Sequence, residues 1–171
     1  MPYQCSLLLT RHLVSAIDIV YSFKNSDAAL YSELFRTWED GTKVLADVEG
    51  LQLVLLIQPH PVTNGTNSLG LPAGETDLVI SVVTAAYSNA ADDGIVQSGM
   101  QKIVDTHERI LRREGIYIPY QYLNYADISQ DPIGSYGKDI KARLRAVSRK
   151  YDPEGFFQYR VPGGFKLFTG H

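Results

Sequence analysis

Little in this sequence announces a reaction centre. Its 171 residues hold one cysteine, Cys5. A single thiol forms no internal disulfide and no zinc cluster alone. A nucleophile would need a base beside it, and the sequence identifies none, so it reads as a small buried residue. The four histidines, His12, His60, His107 and His171, share no metal-ligand spacing. No metal is expected from them. Long apolar runs are missing too. The N-terminal leucines stop at Arg11 and His12, and no basic stretch precedes them. This excludes a signal peptide and a membrane span there, and the expected location is cytoplasmic. Charge of one sign is also scarce: 16 basic against 19 acidic residues, net -3. That balance argues for neither nucleic acid nor an anionic membrane as a partner.

What is present is an ordinary apolar share, 44%, and an excess of tyrosine, eleven in all. The length suits one core and one domain, 1–171. Residues 5–14 alternate like a strand, with Leu7, Leu9 and Leu13 on one face and Thr10 and His12 on the other. The extended pattern continues through Ile17, Ile19 and Tyr21. Ser26 and Asp27 resemble a helix N-cap. Leu30, Leu34, Phe35 and Trp38 then recur at helical spacing, predicting a helix over about 27–47. Gly41 sits awkwardly inside it.

A strand follows over 51–58 and another over 77–87. Asp92 and Asp93 put negative charge at the start of the next helix, which the helix dipole favours. Ile95, Met100, Ile103, His107, Ile110 and Leu111 form its apolar stripe, and Gly115 ends it. His107 on that stripe reads as a satisfied core residue. A fourth strand is expected over Ile116–Tyr125 and a last helix over 139–150.

Strand, helix, strand, strand, helix, strand predicts an α+β fold. It is a ferredoxin-like split βαβ unit, with an antiparallel sheet, helices on one face and a C-terminal helical extension over 126–171. The other sheet face would carry Thr10, His12, Gln52, Val54, Leu56, Gln58, Ser81, Val83, Tyr87, Tyr120, Tyr122 and Asn124. That face is too aromatic to be left in water. A ligand, a second domain or a second copy should cover it. The loop over 59–76 is long for a compact domain and rich in proline, glycine and asparagine.

The last third carries the most specific pattern. Tyr122-Leu123-Asn124-Tyr125-Ala126-Asp127 leads to Gln130-Asp131-Pro132-Ile133 and Ser135-Tyr136-Gly137. Val147-Ser148-Arg149-Lys150-Tyr151-Asp152-Pro153 closes the last helix, and Val161-Pro162-Gly163-Gly164-Phe165 lies near the end. This series resembles the C-terminal part of fungal berberine-bridge-enzyme-like oxidases. Gln58-Pro59, Asn67-Ser68-Leu69-Gly70-Leu71 and Asp92-Asp93 extend the resemblance upstream. It implies a piece of a two-domain flavoprotein. One domain there holds FAD, and the other supplies an antiparallel sheet that roofs the substrate. Tyr122, Asn124 and Tyr125 would be the flavin-side residues. No glycine-rich phosphate-binding stretch and no flavin-attachment segment is found, and the 59–76 loop has no lysine or arginine. Flavin binding by this chain alone is therefore not expected.

Three functions follow. The first is a cofactor-free cyclase or isomerase of fungal secondary metabolism, in which an emptied flavin cavity folds its small-molecule substrate into a reactive conformer. His12 and Tyr122 would move protons there and Gln58 would polarise a carbonyl. Thr10, Gln52, Val54, Leu56, Ser81, Val83, Tyr87, Tyr120 and Asn124 would line the site. The second is a fragment or subunit of an FAD-linked oxidoreductase. The third is a non-catalytic binding remnant. A one-sided sheet without its cover also predicts a homodimer.

Overall fold

The computed structural model describes residues 15–62, 65, 67–71 and 73–168. Four strands form one sheet: β1 (Ser15–Lys24), β2 (Gln52–Pro59), β3 (Leu78–Tyr87) and β4 (Tyr117–Ile118). Their order is β2-β3-β1-β4, and every neighbouring pair is antiparallel. Helix α1 (Ala28–Lys43) joins β1 to β2, and α2 (Asp93–Arg113) joins β3 to β4. This is the expected α+β split βαβ pattern. The strand expected over 5–14 lies outside the described residues, with Thr10 and His12. The first described strand is its continuation through Ile17, Ile19 and Tyr21.

Each helix starts and packs for readable reasons. Asp27 caps α1, its carboxylate accepting from the Ala29 and Leu30 amides at 3.1 Å. Leu30 and Leu34 are buried against the sheet, and Phe35 is 53% exposed. Gly41 is explained by the helix crossing: a Cβ there would overlap the Ile103 side chain. Gly99 on α2 likewise makes room for Leu45. Gly41 lets α1 and α2 approach closely and Gly99 seats the turn after α1, each at the cost of helix propensity.

The helix-covered face forms the larger core. Ile19, Tyr21, Phe23, Val79, Val83, Ala85 and Tyr87 meet Leu34, Met100, Ile103, Val104 and Leu111 there. Here the register corrects one expectation. Ser81 pairs with Ile57 and Tyr21, and Val83 with Leu55 and Ile19. Ser81, Val83 and Tyr87 therefore lie under the helices and not on the opposite face. Residues 78–83 are buried throughout because β3 is central and both its faces are covered. A continuous apolar run has no alternation from which parity can be read.

The fourth strand is far shorter than predicted. Only Tyr117 and Ile118 pair with β1. Pro119 follows, has no N–H to give, and ends the ladder. The chain then runs through a 3₁₀ turn, Leu123–Tyr125, into α3 (Pro132–Ser135), α4 (Lys138–Tyr151) and α5 (Phe156–Tyr159).

Candidate functional site

On the face away from α1 and α2, the register brings together Gln58, Ile80 and Ser22, then Leu56, Val82 and Val20, then Val54, Thr84 and Asp18, then Gln52, Ala86 and Ala16. The C-terminal extension covers part of it. Val20, Leu71, Leu78, Ile80, Val82, Tyr120 and Tyr136 form a second buried cluster. Leu69, Ile118, Tyr122, Tyr125, Ile140 and Leu144 pack around it. Along β2 the face stays open, with Val54 37% and Leu56 39% exposed. The expected bare face is thus half covered by the chain itself.

Tyr120 is the centre of the covered half. Its ring stacks on Tyr136 at 5.8 Å, and the His60 ring meets it edge-on at 5.8 Å. Burial raises the Tyr120 hydroxyl well above the ordinary phenol range. That hydroxyl has no hydrogen-bond partner among the described residues, nor has the Ser22 hydroxyl. Two polar groups in dry surroundings without partners are costly. Tyr120 is therefore a packed pillar more than a surface lining.

The Tyr122–Tyr125 turn forms the rim. Tyr122 and Tyr125 meet edge to face at 5.2 Å. The exposed Asn124 donates its amide to Tyr122 Oη at 2.9 Å. Leu123 and Asn124 are the exposed residues of this turn, between the half-buried Tyr122 and Tyr125. Gln58 lies half-buried on the same sheet face, one strand from Ile80 in the cluster that Tyr122 packs against. His12 and Thr10 are outside the described residues, so no geometry joins them to this group.

Gln130 positions the rim, and it went unnoticed in the sequence. Where β4 ends, the free edge of β1 needs a partner. The Gln130 side chain supplies one: its Oε1 accepts from Val20 N at 3.0 Å and its Nε2 donates to Val20 O at 2.7 Å. The same Oε1 accepts from Asp127 N at 3.1 Å. One amide thus mimics a strand residue and ties the 122–127 segment to the sheet. Asp131 then caps α3 through Gly134 N at 2.9 Å. The only signal for Gln130 was its place in the Gln-Asp-Pro-Ile segment.

Beyond the rim, a cleft of about 380 Å³ separates the 65–71 loop from the start of α4, lined among others by Gly70, Gly137, Lys138, Asp139 and Arg143. The loop that lacks cations of its own receives two from α4. Arg143 is spent on Asn67 O and Ser68 Oγ, at 3.2 and 2.7 Å, and Asp139 puts a carboxylate in the first turn. The cleft is therefore not set up as a phosphate cradle. No group of acidic, histidine or cysteine side chains suited to a metal occurs among the described residues. Likewise, no described helix is long and apolar enough to cross a membrane.

Comparison with known proteins finds a matching family and several relatives. Residues 121–162, the rim and α4, match the family described as berberine and berberine like. The chain is berberine-bridge-enzyme-like, related over most of its length to part of fungal FAD-linked oxidoreductases. It is 39% identical over 61% of its length to the FAD-dependent monooxygenase tpcD of Cochliobolus heterostrophus. It is 36% identical over 73% to the FAD-dependent monooxygenase sdcF of Emericella nidulans. It is 31% identical over 93% to the bifunctional solanapyrone synthase of Alternaria solani. The chain spans only 20%, 28% and 31% of those three proteins. No solved structure matches it significantly.

The rim fits one side of a flavin. An exposed asparagine amide beside two tyrosine rings suits the polar edge and flat face of an isoalloxazine. Nothing comparable meets the phosphates among the described residues.

Proposed function

We propose that this chain is the substrate-side part of an FAD-dependent oxidoreductase of fungal secondary metabolism, presenting its rim and bare sheet strip to a flavin-bearing body. The Tyr122–Asn124–Tyr125 turn carries this reading: Asn124 is exposed between two half-buried tyrosines, and Gln130 holds the segment in place. The relatives' names supply the cofactor. A bound FAD would supply two-electron redox chemistry, and Tyr122, Asn124 and Tyr125 would be the residues of this chain beside it. The chain's own residues would orient and dehydrate the substrate: Val54 and Leu56 exclude water, while Gln52, Gln58 and Thr84 offer hydrogen bonds beside them.

The flavin-free cyclase or isomerase keeps one observation in its favour: the Val54–Leu56 strip is apolar and open to a small molecule. Two features count against it as the first choice. Tyr120, assigned to the pocket, is packed between His60 and Tyr136. Ser81, Val83 and Tyr87 face the helices.

Purification of the protein from the organism that makes it, followed by a visible absorbance spectrum, tests the choice. A flavin spectrum, with flavin released on denaturation, is expected. Colourless protein that turns over a pathway intermediate would overturn it in favour of the cyclase.

A further inference from the structure

Asp18 breaks the pattern of the open sheet face. It stands half-buried in mid-β1, where strands disfavour aspartate. Its row on that face is Asp18, Thr84 and Val54, and the next row outward is Ala16, Ala86 and Gln52. Among the described residues no lysine, arginine or histidine lies within ion-pair distance of its carboxylate. Other aspartates have evident structural roles. Asp27 and Asp131 cap helices, and Asp127 accepts from Ser129. A residue that violates local preference without a structural return points to function.

The rim stands beside it. The Leu123–Tyr125 turn packs on β1. Gln130 grips Val20, one same-face step from Asp18. In strand order Asp18 therefore lies between the Tyr122–Tyr125 rim and the apolar Val54–Leu56 strip.

A body that covers this face strips water from Asp18, and a carboxylate in dry surroundings needs a donor. Thr84 is its cross-strand neighbour. Such neighbours stand about 5 Å apart at Cβ. The carboxylate only accepts, whereas the threonine hydroxyl can also donate. A hydroxyl on the ligand matches the pair, donating to Asp18 while accepting from Thr84. An ammonium group only donates, which leaves the Thr84 proton unmet. The alanines of the next row leave room for the carbon frame.

We propose that Asp18 and Thr84 recognise a hydroxyl group of the substrate, an alcohol or phenol whose apolar body lies along Val54 and Leu56. This rests on the flavin-side reading, which supplies the cover over the face.

Amide chemical-shift mapping of the purified chain with 2-naphthol, its methyl ether and 2-naphthylmethylammonium tests it. Shifts at Asp18, Thr84 and Ala86 are expected with the naphthol. Its affinity should exceed the ether's by about three- to tenfold, the share of one hydrogen bond. Asp18→Ala should erase that preference. Asp18→Asn should keep part of it through its carbonyl oxygen, and Thr84→Val should reduce it. Equal binding of naphthol and ether, or shifts confined to other surfaces, would overturn the proposal. Tighter binding of the ammonium would overturn it in favour of an amine substrate. The comparison of the three probes on the unaltered chain decides the matter where a variant loses its far-UV circular dichroism. A parallel titration with lumiflavin separates the two readings. Rim shifts without a naphthol preference sink the role of Asp18 alone. A naphthol preference with a silent rim sinks the flavin-side reading and leaves Asp18 its hydroxyl.

Discussion

The two faces of one sheet are finished to different standards. Under α1 and α2, among the described residues, the Trp38 indole is the buried side-chain polar group left without a partner. On the other face Ser22 and Tyr120 are buried without one, and the β2 edge is bare. The helix-side network shows what completion looks like. His107 Nε2 lies 2.9 Å from Leu34 O, so that nitrogen carries the proton and Nδ1 accepts from Tyr21 Oη at 2.6 Å. Ser81 Oγ lies 2.8 Å from Tyr21 Oη and 3.0 Å from Leu56 O, and its one proton serves either. This network ties α2, β1, β3, α1 and β2 together without a charge. The helix-covered face closes its side-chain hydrogen bonds internally, whereas the half-covered face buries two hydroxyls without partners.

Breaking the finished face should cost most. His107→Ala empties a fully buried site and leaves the Tyr21 hydroxyl proton without its acceptor; a loss of about 3–5 kcal/mol is expected in urea unfolding. Acid should attack the same point. Burial lowers the His107 pKa to about 4, with the Leu34 contact opposing it. The ordinary imidazole value is about 6.5, so the unfolded chain takes up the proton first. The stability from keeping His107 neutral is complete above pH 6.5, declines as pH falls, and is gone below about 4. This amounts to roughly 3 kcal/mol. His107→Gln should flatten that slope in unfolding measured between pH 4 and 7.

Tyr21→Phe leaves Nδ1 of His107 unpaired and should cost about 1–3 kcal/mol. Gln130→Ala, at the junction of the two faces, should cost about 1–2 kcal/mol and speed amide exchange at Val20 and Asp127. Gln130→Glu keeps both acceptor bonds but opposes a carboxylate to Val20 O, so it should not rescue. The smallest effect sharpens the contrast most. Tyr120→Phe removes a hydroxyl that already lacks a partner, and stability should stay within about 0.5 kcal/mol or rise. A loss equal to that of Tyr21→Phe would mean that the two faces do not differ as described.

The strand and helix order was legible because periodicity is strong where one face is wet. β2 alternates cleanly, and its assignments at Gln52, Val54, Leu56 and Gln58 fall on the expected face. β3 does not alternate, so the parity of Ser81, Val83 and Tyr87 was invisible. The short β4 was foreshadowed only by Pro119. Tyr122, Asn124 and Tyr125 came from resemblance, and the structure adds the contacts that hold them. Gln130 was hidden because a side chain standing in for a strand leaves no local pattern. Gly41, an oddity within a helix, makes sense only with Ile103 across from it.

The proposed rim would meet a flavin ring, with no cradle for its phosphates among the described residues. Amide chemical-shift mapping of the purified chain with lumiflavin, then with FAD, tests this directly. Shifts at Asn124 and Tyr125 are predicted with both, with equally weak affinity, because the phosphates add no contacts. Silence at the rim with either compound, or binding that tightens many-fold with FAD, would contradict it.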